Sequence, residues 1–274
     1  MTRDCIVGRY AKRMGINNNL ALYESISLGS SEVMPLELAS VYGTLANNGV
    51  YNKPLSVKRI QDKDGILVKN YPGESHVAIS EETAFLMTDM MRSVILAGSG
   101  MGVWSRHGFL RPCAGKTGTT SDYKNAWFAG FTPQLAAVVW VGFDDERISF
   151  SDGQSTYGQG ARAALPIWAK FMHDVYEEFG EEELPEMKFE VPESGEIVKI
   201  DFSRESIFDY GRPRLFSRDC DSEPYRDYVR IGNEPALFNA KRDTVMKFNI
   251  DFLLTDSTSH EALEIIDEDI VGKQ

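Results

Sequence analysis

The run CAGKTGTTSDYKNAWFAGF, residues 113–131, gathers a cation, a row of hydroxyls and two glycines into a few positions. Gly115-Lys116-Thr117 reads two ways. A phosphate-binding loop needs an earlier glycine at a fixed offset, a strand before it and a helix after it. The position of that glycine is Leu110, Arg111-Pro112 precedes the triplet, and the residues that follow read as a strand. Nucleotide binding is excluded. The second reading is a strand that walls a cleft and seats a peptide ending in a free carboxylate. Thr117 and Thr119 offer hydroxyls to the carboxylate and Lys116 supplies positive potential. Gly118 lets a peptide lie close to the backbone, which can take it as an added strand. The Thr119 N–H is placed to donate to a developing oxyanion. Lys116, Thr117, Gly118, Thr119 and Thr120 are therefore the substrate-binding candidates, and Lys116 and Thr119 carry the catalytic roles. The chemistry is acyl transfer.

Acyl transfer also needs an activated hydroxyl beside its base. The chain contains one Ser-x-x-Lys, Ser121 to Lys124, and no Ser-x-Asn. Ser121 follows the Lys-Thr-Gly strand and reads as a turn serine. No metal or other cofactor is expected. Cys5, Cys113 and Cys220 are widely spaced, without the pattern of a zinc cluster or a disulfide framework. Asp144-Asp145-Glu146 reads as an acidic turn, and SDGQSTYGQG lacks the ligand spacing of a calcium loop. His107 is expected at the surface, and Trp127 and Phe128 in sheet packing.

Several elements must position these residues. Ile6, Tyr10 and Met14, with Val7 and Ala11, form the stripe of a first helix that Gly15 stops. Its entry is poorly marked, which predicts upstream sequence. A second helix runs from about Pro35 to Ala46, with Asn47-Asn48-Gly49 closing it. Two β-type runs flank Asp62-Lys63-Asp64-Gly65 as a hairpin. A third helix follows Ser80, with Ala84, Met87, Met91 and Val94 as its stripe. SGMGVWSRHGFLRP is predicted as a loop. The Lys116 segment, NAWFAGFTP and LAAVVWVGFDD make three consecutive antiparallel strands. GQGARAALPIWAKFMHDVYEEFG is a long helix whose apolar face is Leu165, Trp168, Phe171, Met172 and Val175. From Pro185 the character changes to short β-type runs, EIVKIDF, YVRIGNEP and VMKFNIDFLL, and an acidic helix or tail ends the chain.

The 274 residues suit one large domain with an appendage. Lys and Arg number 29 against 41 Asp and Glu, a net charge of −12, which repels a phosphate backbone and excludes nucleic acid as a partner. No apolar run reaches the ~18 residues needed to span a bilayer.

ISLGSSEVMPLELASVYGTLANNGVYNKP, then AGKTGTTSDYKNAWFAGFTPQLAAVVWVGFDD, then GARAALPIWAKFM, in that order, resemble the transpeptidase domain of class A penicillin-binding proteins of the 1A type. The resemblance covers roughly residues 1 to 235. It implies an α+β fold, an antiparallel sheet flanked by helices as in β-lactamases, with a β-rich C-terminal appendage. It divides the chain into residues 1–184, the C-terminal portion of the transpeptidase domain; 185–240, a β-rich extension; and 241–274, an acidic tail. It implies cross-linking of peptidoglycan stem peptides that end in D-Ala, acylation by β-lactams, and no cofactor. It places the parent protein at the extracytoplasmic face of the cytoplasmic membrane. The family carries Ser-x-x-Lys far upstream and Ser-x-Asn shortly before the helix that begins this chain, and of the three motifs this chain holds only Lys-Thr-Gly in its place. Two roles follow: a transpeptidase fragment that needs its upstream half as partner, or a non-enzymatic peptide-binding or docking module. The family's sheet also takes strands from before the nucleophile, which predicts about three strands here and an unpaired edge. The resemblance places Tyr157 to Gly160 near the cleft as further substrate contacts.

Overall fold

A computed structural model of the chain describes residues 6–20, 24–145, 147–150, 157–202, 215, 225–233 and 235. The chain divides into two units, Met1–Glu196 and Ile197–Gln274. In the first unit, helix α1 (Ile6–Arg13) ends before Gly15, and a 3-10 turn follows at Glu24–Leu28. Helix α2 (Pro35–Ala46) starts with proline in its first turn, where a missing N–H costs nothing. Strands β1 (Val50–Asn52) and β4 (Ser75–Val77) pair with each other, and β2 (Arg59–Gln61) and β3 (Leu67–Asn70) form a hairpin between them. Asp62 Oδ1 closes that hairpin by accepting the N–H groups of Asp64 and Ile66, both at 2.9 Å. Helix α3 (Glu81–Ala97) is capped by Ser80, whose hydroxyl accepts the Thr83 N–H at 3.3 Å.

Next come the short helix α4 (Gly102–Ser105) and strands β5 (Ala114–Thr119), β6 (Asn125–Phe131) and β7 (Ala136–Gly142). They are followed by α5 (Gly160–Ala163) and α6 (Leu165–Glu183). The three strands form one antiparallel sheet in the order β5-β6-β7. Among the described residues no strand pairs with the far edge of β7.

Alternation along β6 divides the core. Ala126 and Phe128 enter a cluster with Leu165, Trp168, Met172 and Tyr176 of α6. Ala129 and Phe131 enter a second cluster with Tyr42 and Leu45 of α2 and Ala84 of α3. Trp168 is fully buried and anchors the first cluster. Its ring meets Phe109 and Phe128 edge-on at 5.7 and 5.1 Å. Its indole N–H donates to Ala137 O at 3.1 Å, which satisfies a polar atom that burial would otherwise penalise. The apolar face of α6 differs from the sequence reading in two residues: Phe171 is 52% exposed and Val175 is half-buried, while Ala169 and Tyr176 complete the buried stripe. Phe171 is three residues from Trp168 but stands about 100° around the helix from Met172, on the flank of the buried row. The helix read as one over residues 158–180 is divided at Ala164 into α5 and α6, with proline in the first turn of α6; the other helices and the hairpin fall where periodicity and turn chemistry place them. The predicted loop contains α4, fastened by buried Val103, while β1 and β4 are too short to show an alternation in sequence. The stripe of α1 stays uncovered, with Ile6, Val7 and Tyr10 exposed.

In the second unit β8 (Ile197–Phe202) pairs antiparallel with β9 (Tyr225–Arg230), matching the predicted β-rich appendage. Arg226 bridges Asp201 at 2.5 Å across the pair. The strand expected over residues 245–254 and the acidic tail lie outside the described residues.

Two measurements probe this core. Trp168→Ala is expected to lower unfolding stability by about 3–5 kcal/mol in a denaturant titration. Burial pushes the Cys113 thiol and the Tyr42 hydroxyl each up to about 12, from ordinary values of 9.0 and 10.0. The unfolded chain releases both protons first. Stability present below pH 9.0 is therefore lost progressively as pH rises toward about 12. Urea midpoints recorded along that range will show the fall, and a Cys113→Ala, Tyr42→Phe double variant will flatten it.

Candidate functional site

The site grows from the phase of one strand. β5 pairs with β6 from Ala114↔Phe131 to Thr119↔Ala126, and just beyond, Thr120 N donates to Asn125 O at 3.1 Å. Residues of an antiparallel ladder alternate between bonding their neighbour and facing away from it. Counted back from Thr120, Gly118 and Lys116 direct their backbone groups to β6. The N–H and C=O groups of Thr119 and Thr117 point to the other side, where β5 is the edge of its sheet. Helix α3 crosses beside this edge. Ala84 near its start joins the core on the α2 side, and Ile95 near its end joins the core on the α6 side together with Cys113.

Side chains alternate as well. Ala114 belongs to the α2-side core, and Lys116 and Gly118 share its face. Thr117 and Thr119 stand opposite Phe128 and Ala126, residues of the α6-side core. The cation and the hydroxyls thus leave the strand on opposite faces and meet only at the edge. Lys116 bridges the two, its Nζ donating to Thr117 O at 2.8 Å.

Thr117, Thr119 and Thr120 line a cavity of about 420 Å³. Ser121 and Tyr123 of the following turn, Gln159 and Ala161 near α5, and Ser99 after α3 complete its wall. Each threonine oxygen has a partner. Thr119 Oγ1 accepts the Gly160 N–H at 2.9 Å. Thr120 Oγ1 accepts the N–H groups of Lys124 and Asn125, both at 3.1 Å. Thr117 Oγ1 lies 2.7 Å from Ser99 Oγ. A hydroxyl that accepts from the protein still has its proton to give, so the row presents O–H donors to an anion.

Of the five residues read from sequence, the three threonines share the cavity, with Thr120 doubling as the cap of its turn. Lys116 reaches the site from the other face. Gly118 contributes space inside the protein: a Cβ there would stand 3.0 Å from the Cβ of Trp127. The chain also folds tightly against it from the α5 side. A Cβ on Gly160 would lie 2.4 Å from the carbonyl oxygens of both Gly118 and Trp127. That approach is what lets the Gly160 N–H reach Thr119. From the stretch Tyr157 to Gly160, Gln159 reaches the cavity, whereas Tyr157 is 66% exposed. Ser99 and Tyr123 were not identified from sequence. The signal for Ser99 is its place between two glycines at the end of a long helix. Tyr123 is marked by a positive φ of 54°, which sequence does not show.

The lone Ser-x-x-Lys sits in the β5–β6 turn, and its lysine is paired elsewhere, Lys124 Nζ with Asp122 Oδ2 at 3.1 Å. Asp145 binds the Arg147 guanidinium through both oxygens, which holds its carboxyl below the usual carboxylate range. Asp145 belongs to the acidic stretch expected there, of which Glu146 lies outside the described residues. His107 is half-buried with Nε2 enclosed, rather than at the surface. His173, Asp174 and Glu177 cluster on the exposed face of α6, where Asp174 is engaged by Lys170 at 2.9 Å. Among the described residues no helix is long and apolar enough to cross a membrane.

Residues 7–172 match the family model of the penicillin binding protein transpeptidase domain. Penicillin-binding protein 1A of Aquifex aeolicus is 37% identical over 197 residues, covering 71% of this chain and 25% of that protein. The chain thus spans about a quarter of the length of the curated relatives it matches. The crystal structure of penicillin-binding protein 1A from Haemophilus influenzae superposes with a TM-score of 0.69 at 23% identity, over 83% of this chain and 37% of that one. The PonA1 protein of Mycobacterium tuberculosis in complex with penicillin V superposes with a TM-score of 0.55 at 24% identity, over 68% and 51%. These two likenesses show the fold.

Gly160→Ala will separate α5 from β5. A loss of about 1–3 kcal/mol of stability is expected, together with a displaced Thr119 amide resonance in a nitrogen–proton spectrum. An unchanged resonance would show that the contact does not organise the strand.

Proposed function

This chain belongs to the penicillin-binding protein transpeptidase family, class A, and from that premise we propose that it is the substrate-holding part of a peptidoglycan DD-transpeptidase. The observation that supports this reading best is the edge of β5, where outward backbone groups, a row of hydroxyls and the Lys116 ammonium converge. A stem peptide ending in D-Ala lies along that edge as an added strand. Its terminal carboxylate takes O–H donors from Thr117 and Thr119 in the field of Lys116. The scissile carbonyl then faces the outward N–H of Thr119, which stabilises the negative oxygen as the tetrahedral intermediate forms.

Bond-making requires a serine outside this chain. Its hydroxyl, losing a proton to the paired lysine, attacks the carbonyl carbon; the C–N bond breaks and D-Ala departs with the proton as a free amine. An amine of a second stem peptide displaces the serine oxygen in the reverse sense. A β-lactam enters the same sequence by opening its ring, so no fragment departs. Within this chain Lys116 and Thr119 assist these steps and make no covalent bond. In the whole protein the site faces the extracytoplasmic side of the membrane. A second reading, a peptide-binding or docking module without chemistry of its own, is favoured for the chain by itself because Lys124 is engaged by Asp122 rather than serving Ser121 as a base.

Fluorescent penicillin tests both. The chain alone is expected to stay unlabelled. When a segment bearing Ser-x-x-Lys and Ser-x-Asn is supplied, label should appear on that segment and depend on this chain. Lys116→Ala should then slow labelling by about two orders of magnitude. Covalent label on this chain alone would overturn the assignment of the nucleophile to another segment.

A further inference from the structure

The shortest contact of the candidate carboxylate site involves a residue outside the Lys-Thr-Gly strand. Ser99 Oγ lies 2.7 Å from Thr117 Oγ1, and both residues line the same cavity. Ser99 follows α3 in a fixed turn. Val94 O accepts the N–H groups of both Gly98 and Gly100, at 3.1 and 3.0 Å. The indole N–H of Trp104 donates to the next carbonyl, Ile95 O, at 3.0 Å. These bonds occupy carbonyls that the end of a helix leaves free. The glycines bracket Ser99, and the turn they form is tied to a helix whose Ile95 is buried in the core. The hydroxyl is therefore presented from a rigid element, unlike a serine on a mobile loop.

We infer that Ser99 is a positioning residue of the carboxylate site, forming with Thr117 a pair of hydroxyls that presents a directed proton to the carboxylate terminus of a bound peptide. This inference rests on the proposed carboxylate-binding role of Thr117. A hydroxyl carries one proton and two lone pairs. When Ser99 donates to Thr117, the Thr117 proton is free to point into the cavity, and the donation polarises it. When Thr117 donates to Ser99, the Ser99 proton takes that place. In either direction one proton is spent inside the pair and one is held for the anion. Thr117 alone would have to be oriented by the ligand, at a cost in ordering. No covalent bond changes in this step.

The test compares binding of Nα-acetyl-D-Ala-D-Ala with binding of its C-terminal amide to the full chain, by NMR titration. Wild type should prefer the carboxylate, and Thr117→Val should lose the preference. Ser99→Val and Ser99→Thr have the same shape and differ in the hydroxyl. Ser99→Val should reduce the carboxylate-over-amide ratio by about three- to tenfold, and Ser99→Thr should keep it. A Ser99→Val ratio equal to that of wild type, with Thr117→Val impaired, overturns the role of Ser99 and leaves the site reading intact. No preference in wild type overturns the site reading and this inference with it. If Ser99→Val does not fold, Ser99→Ala carries the same comparison, judged on the ratio and not on affinity. A Ser99→Thr variant as impaired as Ser99→Val marks the position as purely structural and also overturns the inference.

Discussion

The alternation of one antiparallel ladder governs the candidate site. Because Thr120 bonds Asn125 across the β5–β6 turn, every second residue behind it must turn its backbone away from the sheet. Thr117 and Thr119 are those residues. The same period of two sends Lys116 to the opposite face, so the strand offers its charge and its hydroxyls on different sides of one edge. A slip of one residue would bury the threonines' backbone groups in the ladder and place the lysine in the cavity. Turn bonds hold the register: Thr120 Oγ1 accepts two N–H groups and stops the strand from sliding.

Packing supports that phase from both sides. Trp168 fills the space beneath β6, and its indole is satisfied by Ala137 of β7. Thr132 and Tyr176 share a buried hydroxyl contact of 2.7 Å at the β6–β7 turn, which ties α6 to the sheet. Arg111 stacks over the Tyr176 ring at 4.2 Å and donates to Leu184 O. The segment entering β5 is thereby fastened to the far end of α6. Elements distant in sequence thus converge on the strand that carries the candidate residues, and the close approach of Gly160 to Gly118 completes the enclosure.

Much of this was legible in the sequence for identifiable reasons. Long helices with a repeating apolar stripe announce themselves, as α2, α3 and α6 do. Asp62 to Gly65 declares its hairpin because the turn chemistry is local. Lys116, Thr117 and Thr119 are recognisable because their types and spacing suit one chemistry. The cavity wall was less legible because its partners are remote in the chain. Ser99 meets Thr117 across 18 positions and Gly160 meets Thr119 across 41. Sequence periodicity is blind to such distances. It also cannot say whether a stripe is covered, which is why Ile6, Val7 and Tyr10 of α1 look like core and are not.

The open side of β7 has a colloidal consequence. Ala136–Gly142 reads AAVVWVG, with no charge, no proline and a tryptophan that is 40% exposed. Natural edges are usually blunted by charged residues or proline; β7 has neither, and among the described residues no strand pairs with its far side. The net charge of −12 repels a second copy at a distance. Salt screens that repulsion beyond the Debye length, so ionic strength sets how closely two such uncharged edges can approach.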